Sequence, residues 1–336
     1  MPHDTRDLGR VQAGGTSHQI GLALGRAGRD AVHRHLTGSA LWHDITAARH
    51  AARTAKMSLT VQSRFPAIWA EIQGLAQGLE LPLAQVMAWN CRGDLLASTP
   101  DGCTTVARPG PRREIAHNED GLPFFRGACF IAWVAPDEGP AFHAFCYPGS
   151  IPGHTFAWTQ AGLVQAVNNL RLTGTGEGVP RMVLGRALLA APDLEAALDL
   201  LAAHPAAGGF HFTLGHRDDP RLLSVEFGAG GLSCQTLGGA MVHANHALHL
   251  PGAAGQIVTS SSRDRQARGE ALLAQGAGTL AILNDAAGPG LPIRRNAPDD
   301  PDQENTLATA HVVLEGGRID WTVYDSRGVR AQSSAI

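Results

Sequence analysis

Apolar positions in the first hundred residues recur every three to four places, the period of a helix with one buried face. Ile20–Leu36 carries Ile20, Ala23, Leu24 and Ala27 on one stripe, and Leu41–Lys56 and Phe65–Leu79 repeat the spacing. Pro82 marks the start of a further helix over Leu83–Leu96. The texture changes at Ser98-Thr-Pro-Asp-Gly102. From there, runs of strand length alternate with Gly and Pro: Cys103–Ala107, Glu114–His117, Ala128–Val134, Ala141–Tyr147, Thr155–Thr159 and Leu163–Val167. Two helices are predicted next, Pro180–Ala190 and Asp193–Ala203, followed by strands at Phe210–His216, Leu222–Phe227, Leu232–Thr236 and Ala240–Ala244. A helix at Ser262–Ala274 and the segment Leu280–Ala286 precede two last strands, Leu307–Leu314 and Arg318–Tyr324. Blocks of helices and blocks of strands are not a βαβ alternation. The pattern predicts an α+β fold with helices covering the outer faces of antiparallel sheets. No internal repeat is found, and Asn296–Asp302 reads as an exposed loop.

Composition narrows the function classes. With 336 residues, 44% of them hydrophobic, and a mean hydropathy near zero, the chain can bury a large core and is not a disordered polymer. A net charge of −3 gives no basic footprint for nucleic acid. The single lysine, Lys56, is the one side chain that Schiff-base chemistry could use. No signal peptide is read at the N-terminus and no apolar run is long enough for a membrane span. The five cysteines, Cys91, Cys103, Cys129, Cys146 and Cys234, form no CxxC pair and no disulfide framework. A cytoplasmic protein with no membrane partner is expected.

Among those thiols, Cys103 has the unusual setting, Asp101-Gly-Cys-Thr-Thr105, at the junction of the helical and strand-rich parts. Gly102 removes side-chain crowding and leaves its carbonyl open to a neighbouring thiol. His117-Asn-Glu-Asp-Gly121 ends the next strand, one hairpin away, where Asn and Asp could orient a nucleophile instead of merely forming a turn. His243-Ala-Asn245-His246 closes a later strand. The spacing of His243, His246 and His249 does not put three imidazoles on one face, so no metal is expected. Asn245 reads instead as an oxyanion donor. Gly174-Thr-Gly176-Glu-Gly178 lacks the full dinucleotide pattern and reads as a flexible turn. Arg263, Arg265 and Arg268 share a helix opened by Ser260-Ser-Ser262, and an internal arginine there could bind a carboxylate bidentately.

These pieces together resemble the acyl-CoA:6-aminopenicillanic acid acyltransferase family, the C45 peptidases of the N-terminal-nucleophile (Ntn) hydrolases. The resemblance rests on Asp101-Gly-Cys103-Thr-Thr105, Asn118-x-Asp120, Asn245-His246, Ser261-Ser262-x-x-Arg265-x-x-Arg268 and Asn305-Thr306-Leu307-Ala308-Thr309, in that order. It implies a four-layer αββα sandwich made as an inactive precursor. Self-cleavage between Gly102 and Cys103 would release an N-terminal chain, 1–102, from a C-terminal chain, 103–336, and leave a heterodimer. The freed α-amine of Cys103 would then act as base to its own thiol.

The same resemblance assigns Cys103 as nucleophile, Asn245 as oxyanion donor and Asp120 as holder of the Cys103 amine, with Asn118 and Thr105 in support. Family members often carry aromatics around the Asn-x-Asp motif, where this chain has Glu119 and Gly121. Phe124, Phe125 and Trp158 are candidates to line an apolar pocket, and Arg265 to meet a substrate carboxylate. A small-molecule amide or acyl donor is the expected partner, without a cofactor. Amide hydrolysis is preferred to CoA-dependent transfer because no Lys-rich patch exists. Two other readings stay open: an unprocessed, non-catalytic relative acting as a binding protein, and a papain-like hydrolase in which His117 or His246 serves Cys103.

Overall fold

The computed structural model describes residues 8–174, 176–253, 255–297 and 299–336. Two sheets face each other. One has eight strands in the order β1-β4-β5-β6-β7-β8-β9-β10, and the other six, in the order β11-β2-β3-β12-β13-β14. In chain order the first sheet takes Gly9–Gly15 (β1), Phe130–Pro136 (β4), Phe142–Cys146 (β5), Ala157–Thr159 (β6), Leu163–Leu170 (β7), Gly209–His216 (β8), Asp219–Gly228 (β9) and Gly231–Thr236 (β10). The second takes Gly102–Arg108 (β2), Arg113–Gly121 (β3), Met241–His243 (β11), Asn305–Glu315 (β12), Arg318–Asp325 (β13) and Arg330–Ala335 (β14). Strands β2 and β3 of the second sheet lie against β7 of the first.

Helices close both outer faces, giving four layers, αββα. Against the larger sheet sit α1 (Ser17–Ala31) and α8 (Leu194–Ala203), with α4 (Pro66–Leu79) packed on α1 and on α7 (Arg181–Leu188). Against the smaller sit α9 (Ser260–Ala274) and α10 (Thr279–Leu283). Helices α1 and α4 cross closely because Gly21 and Gly74 face the partner backbone. A Cβ at Gly21 would run into the carbonyl of Glu71, and one at Gly74 into that of His18.

The α+β architecture is the one expected, with one departure: β1 pairs parallel to β4, so the larger sheet is mixed. Strands β1 and β14 escape the sequence reading because edge strands need only weak patterning. The first is rich in Gly and the second largely polar and exposed. The helix expected over Leu41–Lys56 is broken. Its first piece, α2 (Ala40–Ile45), stops where the Thr46 hydroxyl bonds back to the Trp42 carbonyl at 2.7 Å, and Ala47 turns extended. Helix α3 (Ala51–Arg64) then starts afresh. The helix expected over Leu83–Leu96 likewise splits, into α5 (Leu83–Asn90) and α6 (Arg92–Leu95). Within the Asn296–Asp302 loop, Asp300 turns inward to meet Arg295, which corrects the fully exposed reading. Thr175 of the glycine-rich turn, Pro298 of that loop and the first seven residues lie outside the described residues.

Candidate active site

Cys103 sits on β2 and is almost fully buried. Its neighbours follow from strand geometry, since successive side chains point to opposite faces of a sheet. Strand β3 runs on to Gly121, beyond the end expected at His117, and pairs Gly102 with Asp120, Cys103 with Glu119, Thr104 with Asn118 and Thr105 with His117. Cys103, Thr105, His117 and Glu119 therefore share the inner face, toward the larger sheet. Gly102, Thr104, Asn118 and Asp120 share the outer one, toward α9 and α10.

On the inner face the Cys103 thiol donates to Glu119 Oε2 at 3.6 Å. The same oxygen lies 3.0 Å from His117 Nε2, and Glu119 Oε1 accepts from the Tyr147 hydroxyl at 2.6 Å. His117 Nδ1 lies 2.8 Å from the Thr105 hydroxyl, which donates to Asn168 Oδ1 at 2.7 Å. Burial dominates the acid–base properties of all these groups. It pushes the Cys103 thiol and the Glu119 carboxyl well above their ordinary ranges and holds His117 at about 3. The thiol is thus protonated in the intact chain.

On the outer face, Arg265 of α9 is fully buried and donates to the Cys103 carbonyl, to Thr104 Oγ1 at 2.9 Å, to Asn245 Oδ1 at 2.6 Å and to Ser261 Oγ at 3.0 Å. Asn245 Oδ1 also accepts the Cys103 N–H at 2.9 Å, while its amide nitrogen donates to the Asn169 carbonyl at 3.1 Å. Asp120 accepts from Thr306 through Oδ1 at 2.6 Å, and its Oδ2 is buried without a hydrogen-bond partner among the described residues. Burial raises its pKa against the pull of Arg265 and Arg295. A side chain at Gly102 would collide with the carboxylate of Glu304, itself buried between Arg171 and Arg295 at 2.7 and 2.6 Å. Gly102 is required by that close approach rather than by a turn.

The segment leading to the Gly102–Cys103 bond is also tied down. Asp101 pairs with Arg92 at 3.0 Å and accepts from Thr99, and its carbonyl receives Asn169 and Arg171, both at 3.3 Å. Burial opposes ionisation of Asp101, but the Arg92 guanidinium brings its pKa below the ordinary value. A cavity of about 390 Å³ lies beside this segment, lined by Ser98, Thr99, Pro100, Arg171 and Glu304 among others. Larger cavities of about 560 and 550 Å³ lie elsewhere, among the helices and beside β1.

The remaining sequence candidates scatter. Asn118 holds the Leu283 carbonyl of α10 at 2.7 Å and accepts from Thr309 at 2.6 Å. Phe125 stacks on Tyr147 with ring centroids 5.6 Å apart, which connects it to Glu119, whereas Phe124 stacks on His35. Trp158 is locked among His143, Phe156 and Trp321 in the core between the sheets. Arg265 bonds to the backbone of Cys103, buried behind the sheet, and not to an exposed surface. His246 bonds to Ser262 at 2.8 Å. Glu119 and Tyr147 were not singled out as site residues in the sequence. The strand alternation could have found Glu119, because a hairpin register that opposes Gly102 to Asp120 necessarily opposes Cys103 to Glu119. Cys103, His117 and Glu119 also bring a thiol, a ring nitrogen and a carboxylate oxygen within 4.8 Å of one another, a grouping that could hold a metal ion. Hydrogen bonds among the three already account for their approach.

A variant of conjugated bile acid hydrolase from Clostridium perfringens is similar in structure at 14% identity, over 70% of this chain and 92% of that one, with a TM-score of 0.42. No curated protein matches the chain. The family described as acyl-coenzyme A:6-aminopenicillanic acid acyl-transferase matches residues 108–327, a span that holds Asn118, Asp120, Asn245 and Arg265 and begins just after Cys103. With well over half of its length matched, the chain belongs to the acyl-coenzyme A:6-aminopenicillanic acid acyl-transferase family.

Proposed function

We propose that the chain is a self-processing cysteine amidohydrolase or acyltransferase that uses Cys103 as an N-terminal nucleophile. The observation that carries this reading is the hold on the Gly102–Cys103 junction. The Cys103 N–H is held by Asn245, the Cys103 carbonyl by Arg265 and the Asp101 carbonyl by Asn169 and Arg171, with a thiol one residue from the Gly102 carbonyl. Attack of Sγ on that carbonyl closes a five-membered ring. Collapse breaks the C–N bond, leaves a Gly102 thioester and frees the Cys103 amine. Water then releases the Gly102 carboxyl and restores the thiol.

The new amine has an ordinary pKa near 8, so a useful fraction is neutral and can accept the proton of its own thiol. Nucleophile and base on one residue lose little orientational freedom on reaction. Two features of the intact chain support the supporting roles. Asp120 Oδ2 is a buried acceptor with no donor among the described residues, the partner a new ammonium would supply. The Asn245 side chain already touches the Cys103 nitrogen through Oδ1, and its Nδ2 amide, which donates to the Asn169 carbonyl, is the group that would turn to an oxyanion once cleavage loosens the junction.

The substrate class is a small N-acyl amine, N-acyl amino acid or β-lactam-type amide, whose acyl group passes to Sγ and then to water or an amine. Lys56, the single lysine, is paired with Glu177 on the surface and offers no phosphate-binding cluster for CoA, so hydrolysis is favoured over CoA-dependent transfer. Recombinant protein is expected to give two chains separated at Gly102/Cys103, and Cys103→Ala one chain of 35.3 kDa, by intact mass. A wild type that stays whole and active would sink this reading. Free amine released from a panel of N-acyl amines, N-acyl amino acids and aryl amides identifies the substrate.

A further inference from the structure

Self-cleavage poses a chemical problem that turnover does not. Before the chain is cut, the Cys103 nitrogen is an amide that donates to Asn245, so it cannot take the thiol proton. Some other group must accept it. The geometry points to Glu119 and His117 as a two-step proton relay that serves Cys103 during self-cleavage, a role that the free amine later inherits. This inference rests on the reading proposed above.

The proton positions follow from the hydrogen bonds. Asn168 donates through its amide nitrogen to the His243 carbonyl at 3.1 Å, which fixes Oδ1 toward Thr105. An amide oxygen only accepts, so the Thr105 hydroxyl donates to it and receives the Nδ1–H of His117. Neutral His117 then presents a lone pair on Nε2. The 3.0 Å contact with Glu119 Oε2 needs a proton, which the carboxyl supplies. Tyr147 fixes the other carboxyl oxygen, and the thiol donates to Oε2. The thiol and the carboxyl donate in one direction, from sulfur through Oε2 to Nε2, and the Nδ1–H and the Thr105 hydroxyl carry that direction on to Asn168 Oδ1. Burial, which favours the neutral carboxyl and the neutral imidazole, agrees with these positions.

The step balances. As Sγ attacks the Gly102 carbonyl, its proton passes to Glu119 Oε2, and the proton already on Oε2 passes to His117 Nε2. The S–C bond forms and the carbonyl π pair moves to oxygen. When the C–N bond breaks, Glu119 yields its proton to the departing Cys103 nitrogen and regains the one held on His117. Glu119 ends as it began, and the net transfer is one proton from sulfur to nitrogen.

The test follows loss of full-length chain made by cell-free translation, so that cleavage is timed from synthesis. In mixtures of light and heavy water, two protons in flight give a curved dependence of the wild-type rate constant on deuterium fraction. A straight line would overturn the relay, and this measurement depends on no variant folding. Glu119→Gln and His117→Asn are each expected to slow cleavage about 100-fold, within the range for general acid–base catalysis. The double variant should be slower than the worse single by no more than about threefold, because the two residues act as one unit. Losses that multiply, or single variants that cut at the wild-type rate, would overturn the relay and leave self-processing standing. A wild-type chain that never cuts at Gly102/Cys103 would remove both.

Discussion

The two faces of the β2–β3 hairpin carry the same kinds of residue and treat them in opposite ways. The inner face buries Cys103, Thr105, His117 and Glu119 with Tyr147 and Asn168, and satisfies them through neutral hydrogen bonds. The outer face meets a lattice of buried charge, in which Arg265, Arg295 and Arg171 surround Glu304 and lie near Asp120 and Asp300. Low dielectric makes a lone charge costly, so a buried carboxyl must either stay protonated or be paired. Glu119 takes the first course and Glu304 the second. The difference teaches why the thiol is held protonated in the intact chain: it lies on the face built for neutral groups, and the cations lie behind the sheet, against its backbone.

Removing one member of the charged lattice is the harshest way to probe that division. Arg265→Met keeps an unbranched apolar chain of similar reach but removes the guanidinium donor from the Cys103 carbonyl and one of two donors from each of Asn245 Oδ1 and Ser261 Oγ. It also withdraws a cation from Asp120 and Glu304. Breaking a buried charge network in this way costs about 3–5 kcal/mol. Urea unfolding of the Cys103→Ala background, which stays in one piece under the proposed function, measures this without interference from cleavage. A loss under 1 kcal/mol would show that the outer face is not held by paired charge.

The inner face makes a different prediction, in pH. Folded, Glu119 is held protonated far above its ordinary value of 4.5, and His117 is held neutral down to about 3 against an ordinary 6.5. Together the folded pair binds one proton. Below pH 4.5 the unfolded pair binds two, so stability falls as pH drops toward 3. Between 4.5 and 6.5 the unfolded pair also binds one, and stability is level. Above 6.5 it binds none, and stability falls as pH rises toward the folded pKa of Glu119. Each limb has a slope of up to about 1.4 kcal/mol per pH unit. Denaturant unfolding of Cys103→Ala across pH 3–9 is expected to lose the alkaline limb with Glu119→Gln and the acid limb with His117→Asn. A curve that keeps its shape in both variants would mean the inner face is not neutral.

The sequence made much of this legible, and strand register explains what it concealed. The helical and strand-rich blocks, the junction at residue 102 and the set Cys103, Asn245 and Arg265 can all be read from spacing and motif order, and the structure gathers them around one peptide bond. Glu119 was hidden because hydropathy ends β3 at His117, where Asn118, Glu119 and Asp120 look like turn residues. Polar side chains on a strand buried on both faces mimic a turn when only hydropathy is read. Tyr147 and Asn168 reach the site from the opposite sheet, a contact between distant segments that no local pattern encodes. Trp158 failed as a pocket residue for the converse reason: an aromatic in a strand is a core residue by default, and this one is enclosed by three other rings.

The smallest expected effect separates the hydroxyl of Thr105 from its shape. Thr105→Val keeps the volume and branching but deletes the group that links His117 Nδ1 to Asn168 Oδ1. Asn168 retains a second donor in His211 at 3.0 Å, so the orphan is the His117 N–H. Leaving one buried donor unsatisfied costs about 1–3 kcal/mol. Thr105→Ser keeps both hydrogen bonds and loses a methyl, which costs about 1 kcal/mol. If the inner face works through its chain of donors, cleavage should slow markedly in the Val variant, because the His117 proton positions are no longer enforced. In the Ser variant it should slow by less than about tenfold. Melting temperature and cleavage rate measured on the same two variants decide the matter. A Ser variant that cuts as slowly as the Val variant would show that the methyl group, and therefore packing, sets the alignment of His117.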